Sequence, residues 1–258
     1  MVKAKMMSSK NNEHLKALVF SFDLGFSDIY PNESVRAITF ENKLGELKHI
    51  RRIKDADSIV NFVLFARLGA EHPSAQMWLE TETDLGSSIY LMLGGYYRQA
   101  LICLRTWLEL ALIGIYYSRY YKGKSSRYNQ WKSNQRQSPA WKNLLNSLFT
   151  RAEFESADKA IGLRCKLETL YTELSAFVHN RGMSQYKLQD GRDNVPRYVE
   201  RAFETYYKML QETLNMLVLV LFVAYTNELT YTKEEEWEAI EDLLGDKTRQ
   251  CIESLYSK

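Results

Sequence analysis

The chain has 258 residues, with 34 Lys and Arg against 32 Asp and Glu, a net charge of +2, 45% hydrophobic residues and 26% charged ones. That balance excludes an intrinsically disordered chain and leaves enough apolar material for a full-sized core. Three cysteines, far apart and without a C-x-x-C pair, exclude a disulfide framework and a cysteine zinc site and fit a reducing, cytoplasmic compartment.

Residues 1–12 are basic and polar, lack the apolar stretch of a secretory signal, and read as a flexible tail before one helical domain over 13–258. Residues 14–22 suit a helix or a strand equally well. The segments 36–41 and 46–53 flank Asn42-Lys43-Leu44-Gly45, a pattern that predicts a small β-hairpin as an N-terminal addition. From 55 to 67 the period is helical, with Ile59, Phe62, Val63 and Ala66 on one face, and Gly69 and Pro73 close the helix. Ser74 is the expected N-cap of a second helix that runs to about Leu93, where Gly94-Gly95 interrupts it. A long apolar helix is expected over 96–121, then a polar, basic connector over 122–138.

Shorter helices are expected over 139–148 and 153–160. Residues 163–181 read as a clear helix with Leu167, Leu170, Tyr171, Leu174 and Val178 on one stripe. Gln189-Asp190-Gly191 reads as a turn, and 198–227 as the longest helix. Its apolar run from Met216 to Tyr225 is about half of what a bilayer span needs, so no membrane segment is expected. Thr232 is placed to cap a final acidic helix, with Glu235 completing a capping box. Together these elements predict an all-α fold, a bundle of about six to eight helices.

Polar groups set into apolar helices are the first candidates for chemistry. On the helix beginning near residue 96, Arg105 and Glu109 are four residues apart and share a face, with Arg98 two turns earlier. Charges in so apolar a helix require partners. One reading is a structural Arg105–Glu109 pair bridging helices; the other has Arg105 lining a polar pocket and meeting a phosphate or carboxylate. On the later helix Tyr171, Ser175 and His179 stack along one side, followed by Asn180 and Arg181. A histidine at a helix C-terminus is held charged by the dipole and can act as general acid or base, or serve as a structural side chain.

Charge is unevenly placed. No acidic residue lies between Glu109 and Glu153, whereas Arg119, Lys122, Lys124, Arg127, Lys132, Arg136, Lys142 and Arg151 fall in that stretch. Tyr120, Tyr121, Tyr128 and Trp131 are interleaved with these cations, which is what single-stranded nucleic acid uses: charge for phosphates and rings for bases. A solvated basic loop, or a contact with the acidic C-terminal helix of another subunit, would have the same composition. Phosphate-binding Gly-rich loops, HExxH, GxSxG and EF-hand patterns are all missing from the sequence.

The helix Leu104-Arg105-Thr106-Trp107-Leu108-Glu109, with a later helix carrying Leu170-Tyr171, Leu174-Ser175 and Val178-His179, resembles bacterial all-helical proteins of the HEPN superfamily over roughly residues 75–225. The resemblance implies a helical bundle, a homodimer, and metal-independent cleavage of RNA in toxin or phage-defence systems; other members are non-catalytic. It implies no cofactor. Active members carry an Arg-x4–6-His motif in which His handles the 2′-hydroxyl proton and Arg holds the scissile phosphate. No arginine stands at that spacing before His179; the one literal match is Arg67-Leu68-Gly69-Ala70-Glu71-His72. The leading expectation is therefore RNA engagement, with His179 as acid/base, Arg105 on phosphate and Glu109 positioning it. Tyr171, Ser175, Asn180 and Arg181, with Arg119, Lys122, Lys124, Arg127 and Trp131, would bind the strand. Arg67 and His72 form a secondary candidate pair. The competing expectation is a non-catalytic interaction or dimerisation module, with or without a partner protein, in which Arg105, Glu109 and His179 form a structural network. A third is a small-ligand pocket lined by Tyr171, Ser175 and Arg105.

Overall fold

The structure, a computed structural model, describes residues 41–123, 126–178, 198–229, 238 and 240–256. Among these the fold is all-α. After a 3-10 turn at Glu41–Lys43 come α1 (Leu44–Leu68), α2 (Pro73–Leu93), α3 (Tyr97–Tyr117), α4 (Arg127–Lys132), α5 (Trp141–Leu148), α6 (Ala152–Ile161), α7 (Leu163–Val178), α8 (Glu200–Leu229) and α9 (Asp246–Tyr256).

Residues 44–53 are helical, so the expected hairpin is not formed there; its first arm, 36–40, lies outside the described residues. The reason is the spacing of Leu47, Ile50, Ile53, Val60 and Leu64, which fall on one helical stripe and are all buried. That stripe also corrects the predicted face of α1. Phe62 is 65% exposed and Ala66 is exposed, while Asp57 and Asn61 sit on the buried side.

His72, not Ser74, caps α2: its Nδ1 accepts the Ser74 backbone N–H at 3.2 Å, and Pro73 occupies the first helical position. The Ser74 hydroxyl is instead hydrogen-bonded to the Tyr225 hydroxyl of α8. At the other end of α2, Gly95 adopts φ 81°. The Tyr96 N–H then reaches the Leu91 carbonyl at 2.8 Å and the Gly95 N–H the Met92 carbonyl at 2.9 Å, which turns the chain directly into α3.

The antiparallel hairpin of α2 and α3 is the most extensively packed pair, and α1, α7 and α8 surround it. Trp78 and Trp107 meet edge to face in the middle, their ring centroids 6.4 Å apart. Lys43 ties the start of α1 to the start of α8 through Glu204 at 3.1 Å and Glu200 at 3.2 Å. Tyr225 leaves helical geometry, with φ −137° and ψ 38°, where α8 meets Ser74. Two helices, over 97–117 and 200–227, are long and apolar enough to cross a membrane, yet 67% of each apolar window is buried inside the fold, as in core helices. The positions of Thr232, Glu235 and the 189–191 turn lie outside the described residues, and the final described helix is α9, which the sequence pattern did not single out.

Candidate functional site

Helices α3 and α7 run antiparallel and place Arg105 and Tyr171 side by side. The Arg105 Nη2 donates to Glu109 Oε1 at 3.0 Å and to the Tyr171 hydroxyl at 2.7 Å. Its guanidinium also lies 4.8 Å from the centre of the Tyr171 ring. The same ring stacks on Trp141 of α5, at 3.8 Å with the planes 6° apart. Burial, and then the Glu109 carboxylate beside it, push the Tyr171 phenol above its usual pKa, so it keeps its proton across the neutral range. Two polar atoms here are buried without a partner among the described residues: Arg105 Nε and the Ser175 hydroxyl.

Further along the same face, Arg98 Nε donates to the Phe177 carbonyl at 2.8 Å. This is a cation at the C-terminal end of α7, where the helix dipole favours it. Three of the expected residues, Arg105, Glu109 and Tyr171, are thus brought into direct contact, with Ser175 on the next turn of α7. His179, Asn180 and Arg181 lie outside the described residues. Trp141 and Arg98 complete the cluster. Trp141 carries no signal in the sequence, because its partner is 30 residues away on another helix.

Tyr171→Phe keeps the stack on Trp141 but removes an acceptor from Arg105. It is expected to lower stability by about 1–2 kcal/mol, and Arg105→Ala by more, since Glu109 and Tyr171 both lose their partner. Thermal denaturation of the two variants checks the order; equal, negligible effects would show that the cluster carries no stability.

The secondary pair is arranged differently. His72 is buried, with its ring against Tyr121 at 5.0 Å and Tyr225 at 5.7 Å. Burial depresses its pKa to about 4. Because Nδ1 accepts the Ser74 N–H, the neutral ring carries its proton on Nε2. That tautomer has no free lone pair with which to act as a base. Arg67 is exposed at the end of α1.

In the basic connector and beside it, Arg119, Lys122, Arg127, Lys132, Arg136 and Lys142 are all exposed, and Lys124 lies outside the described residues. Its aromatics turn inward. Tyr128 is buried and donates to Gln76 Oε1, and Trp131 stacks on Tyr128 and donates its indole N–H to Ser138 Oγ at 2.8 Å. Arg127 lies over the Tyr120 ring at 4.7 Å. Clefts of 350, 520 and 820 Å3 open elsewhere on the described surface, none of them lined by Tyr171, Ser175 or Arg105. Among the described residues no three His, Cys, Asp or Glu side chains are grouped to hold a metal ion. Comparison with protein families, with curated proteins and with solved structures finds no match to this chain.

Proposed function

We propose that this is a cytoplasmic, RNA-engaging helical protein of HEPN type, a homodimer whose basic connector holds the phosphate backbone. The observation that carries this reading is the row of six exposed cations from Arg119 to Lys142, in a stretch of sequence without a single carboxylate. Such a surface attracts a polyanion and releases its counterions on binding. In the catalytic form of the proposal His179 handles the 2′-hydroxyl proton. The Arg98 and Arg105 contacts to α7 then fix the helix that leads to it, and no metal or cofactor takes part. A second reading is favoured by the bonds Arg105 already makes: with both Glu109 and Tyr171 engaged, the cluster acts as a structural brace of a non-catalytic interaction module.

The test is binding of single-stranded RNA as a function of salt. Wild type is expected to bind with log K falling steeply against log salt, and a triple Arg119→Ala, Lys122→Ala, Arg127→Ala variant to lose about two to three from that slope. Absence of binding at low salt would hand the protein to the interaction-module reading. Cleavage in EDTA that disappears in a stably folded His179→Ala variant would establish the catalytic form.

A further inference from the structure

Helix α1 has two apolar faces. One, from Leu47 through Ile50, Ile53, Val60 and Leu64, is buried in the core. The other consists of Ile59, Phe62 and Ala66, with Phe65 beside them, and lies on the opposite side of the helix. A single chain leaves this second face uncovered. Phe62 is 65% exposed, Ala66 is exposed, and Ile59 and Phe65 are half-buried. The Asn61 amide donates to Glu82 Oε2 at 3.2 Å and knits this part of α1 to α2, where Leu79 is also exposed. Among the described residues the exposed large apolar side chains are Phe62, Leu79 and Tyr96, so two of the three stand on the α1–α2 surface. Phe65 and Leu79 line the 820 Å3 cleft together with Leu110 and Trp131. Phe62 thus protrudes one turn away from an apolar-walled groove. Single exposed apolar residues are ordinary, but a knob, a flanking strip and a groove on one surface mark an interaction face.

A surface that carries its knob next to its groove is complementary to itself under a two-fold rotation, because each copy offers what the other needs. The charges agree with that symmetry. Asp55 lies before Phe62 on α1 and Arg67 after it, both exposed, so opposite charges straddle the ring. An antiparallel second copy sets Asp55 of each chain against Arg67 of the other, whereas parallel α1 helices would set like charges together. Asp55 also pairs with Arg51 on its own helix at 3.1 Å, an exposed contact that is exchanged at little cost. The groove has both signs at its rim as well, in Glu71, Glu80 and Lys132, which suits a second copy better than a polyanion. We infer that the α1–α2 face is where two copies of this chain meet, with the α1 helices antiparallel and each Phe62 seated in the α1–α2 groove of the other copy. The homodimer is taken from the reading above and the inference supplies its face; the RNA part of that reading plays no role in it.

The experiment is sedimentation equilibrium of the full chain over a range of concentrations. It compares wild type, Phe62→Asp, Asp55→Lys, Arg67→Glu and an equimolar mixture of the last two. Wild type is expected to be a dimer. Phe62→Asp should raise the dissociation constant at least about thirtyfold, the mark of a central interface residue. Because Phe62 is exposed in the single chain, that variant should keep its helical circular dichroism. Each charge variant sets like charges together twice and should weaken the dimer. Mixing the two restores both opposite pairs in the heterodimer and should recover association close to wild type. A dimer that survives Phe62→Asp would overturn this face while leaving the homodimer reading intact. Charge variants that are weakened but not rescued by mixing, or not weakened at all, would overturn the antiparallel arrangement. A wild type that is monomeric at every concentration would overturn both the face and the homodimer.

Discussion

Gly114→Ala is expected to destabilise the protein by about 1–3 kcal/mol, and Gly114→Val by more. A Cβ on Gly114 would stand 2.9 Å from Ser74 Cα, 3.1 Å from Met77 Cβ and 3.2 Å from the Pro73 carbonyl oxygen. Two of those three atoms are backbone at the first turn of α2, which cannot swing aside as a side-chain tip would. In the interior of a helix glycine is itself unfavourable by about 1 kcal/mol relative to alanine. Alanine would recover that in propensity, so a net loss means that close approach decides the sign. The strain also spreads, since moving the start of α2 disturbs the His72 cap and the bond from Ser74 to Tyr225 on α8. Urea denaturation measures the outcome. A midpoint for Gly114→Ala at or above wild type would show that α2 yields freely at this crossing.

Where the sequence was legible, the periodicity and the breakers agreed. Gly94-Gly95 ends α2 where expected, and Leu167, Leu170 and Leu174 lie on the buried side of α7. The Arg105–Glu109 pair followed from four-residue spacing alone. Reading α1 failed because two polar residues occupy its core stripe. With Asp57 and Asn61 buried, the true stripe looks broken. The competing set Ile59, Phe62, Val63 and Ala66 looks continuous, and Asn42-Lys43-Leu44-Gly45 mimics a turn. Gly45 in fact lies inside the first turn of α1 with open space around it. Trp141 against Tyr171 was illegible for a different reason: the contact depends on tertiary packing between helices. An aromatic residue in a chain with 17 Tyr and 11 Phe gives no indication of which ring will line a site.

The buried Asp57 that obscured α1 leads to a large effect of pH. Stability is expected to fall by about 2 kcal/mol between pH 6.5 and pH 8, and the fall should vanish in Asp57→Asn. Asp57 is 1% exposed, and neither carboxylate oxygen has a hydrogen-bond partner among the described residues. The nearby Trp78 indole donates to the Asp57 backbone carbonyl at 3.3 Å, and the Trp107 indole N–H has no acceptor within hydrogen-bond geometry among the described residues, so the two indoles beside the carboxyl only partly offset its burial. Burial, reinforced by the Glu82 carboxylate on α2, pushes Asp57 up to about 8. A carboxyl that binds protons more tightly folded than unfolded takes one up on folding, so its contribution is complete in acid and is lost as pH rises toward 8. Other groups act mainly below that window. Burial raises Asp84 to about 6, which has the same sign, and depresses His72 to about 4, which has the opposite sign as its unfolded form titrates near 6.5. The three overlap between pH 4 and 6.5 and partly cancel; above 6.5 Asp57 is the largest contributor, opposed weakly by the end of the unfolded-state titration of His72 and of His49, whose pKa burial also lowers. Urea midpoints at fixed ionic strength across that interval isolate it. Asp57→Asn should give a flat or slightly rising line that crosses above wild type by pH 8, because an amide fills the same space with no charge to bury. Parallel curves for the two proteins would mean that Asp57 is ionised in the fold, and that a cation or water reaches a carboxylate the helices otherwise enclose.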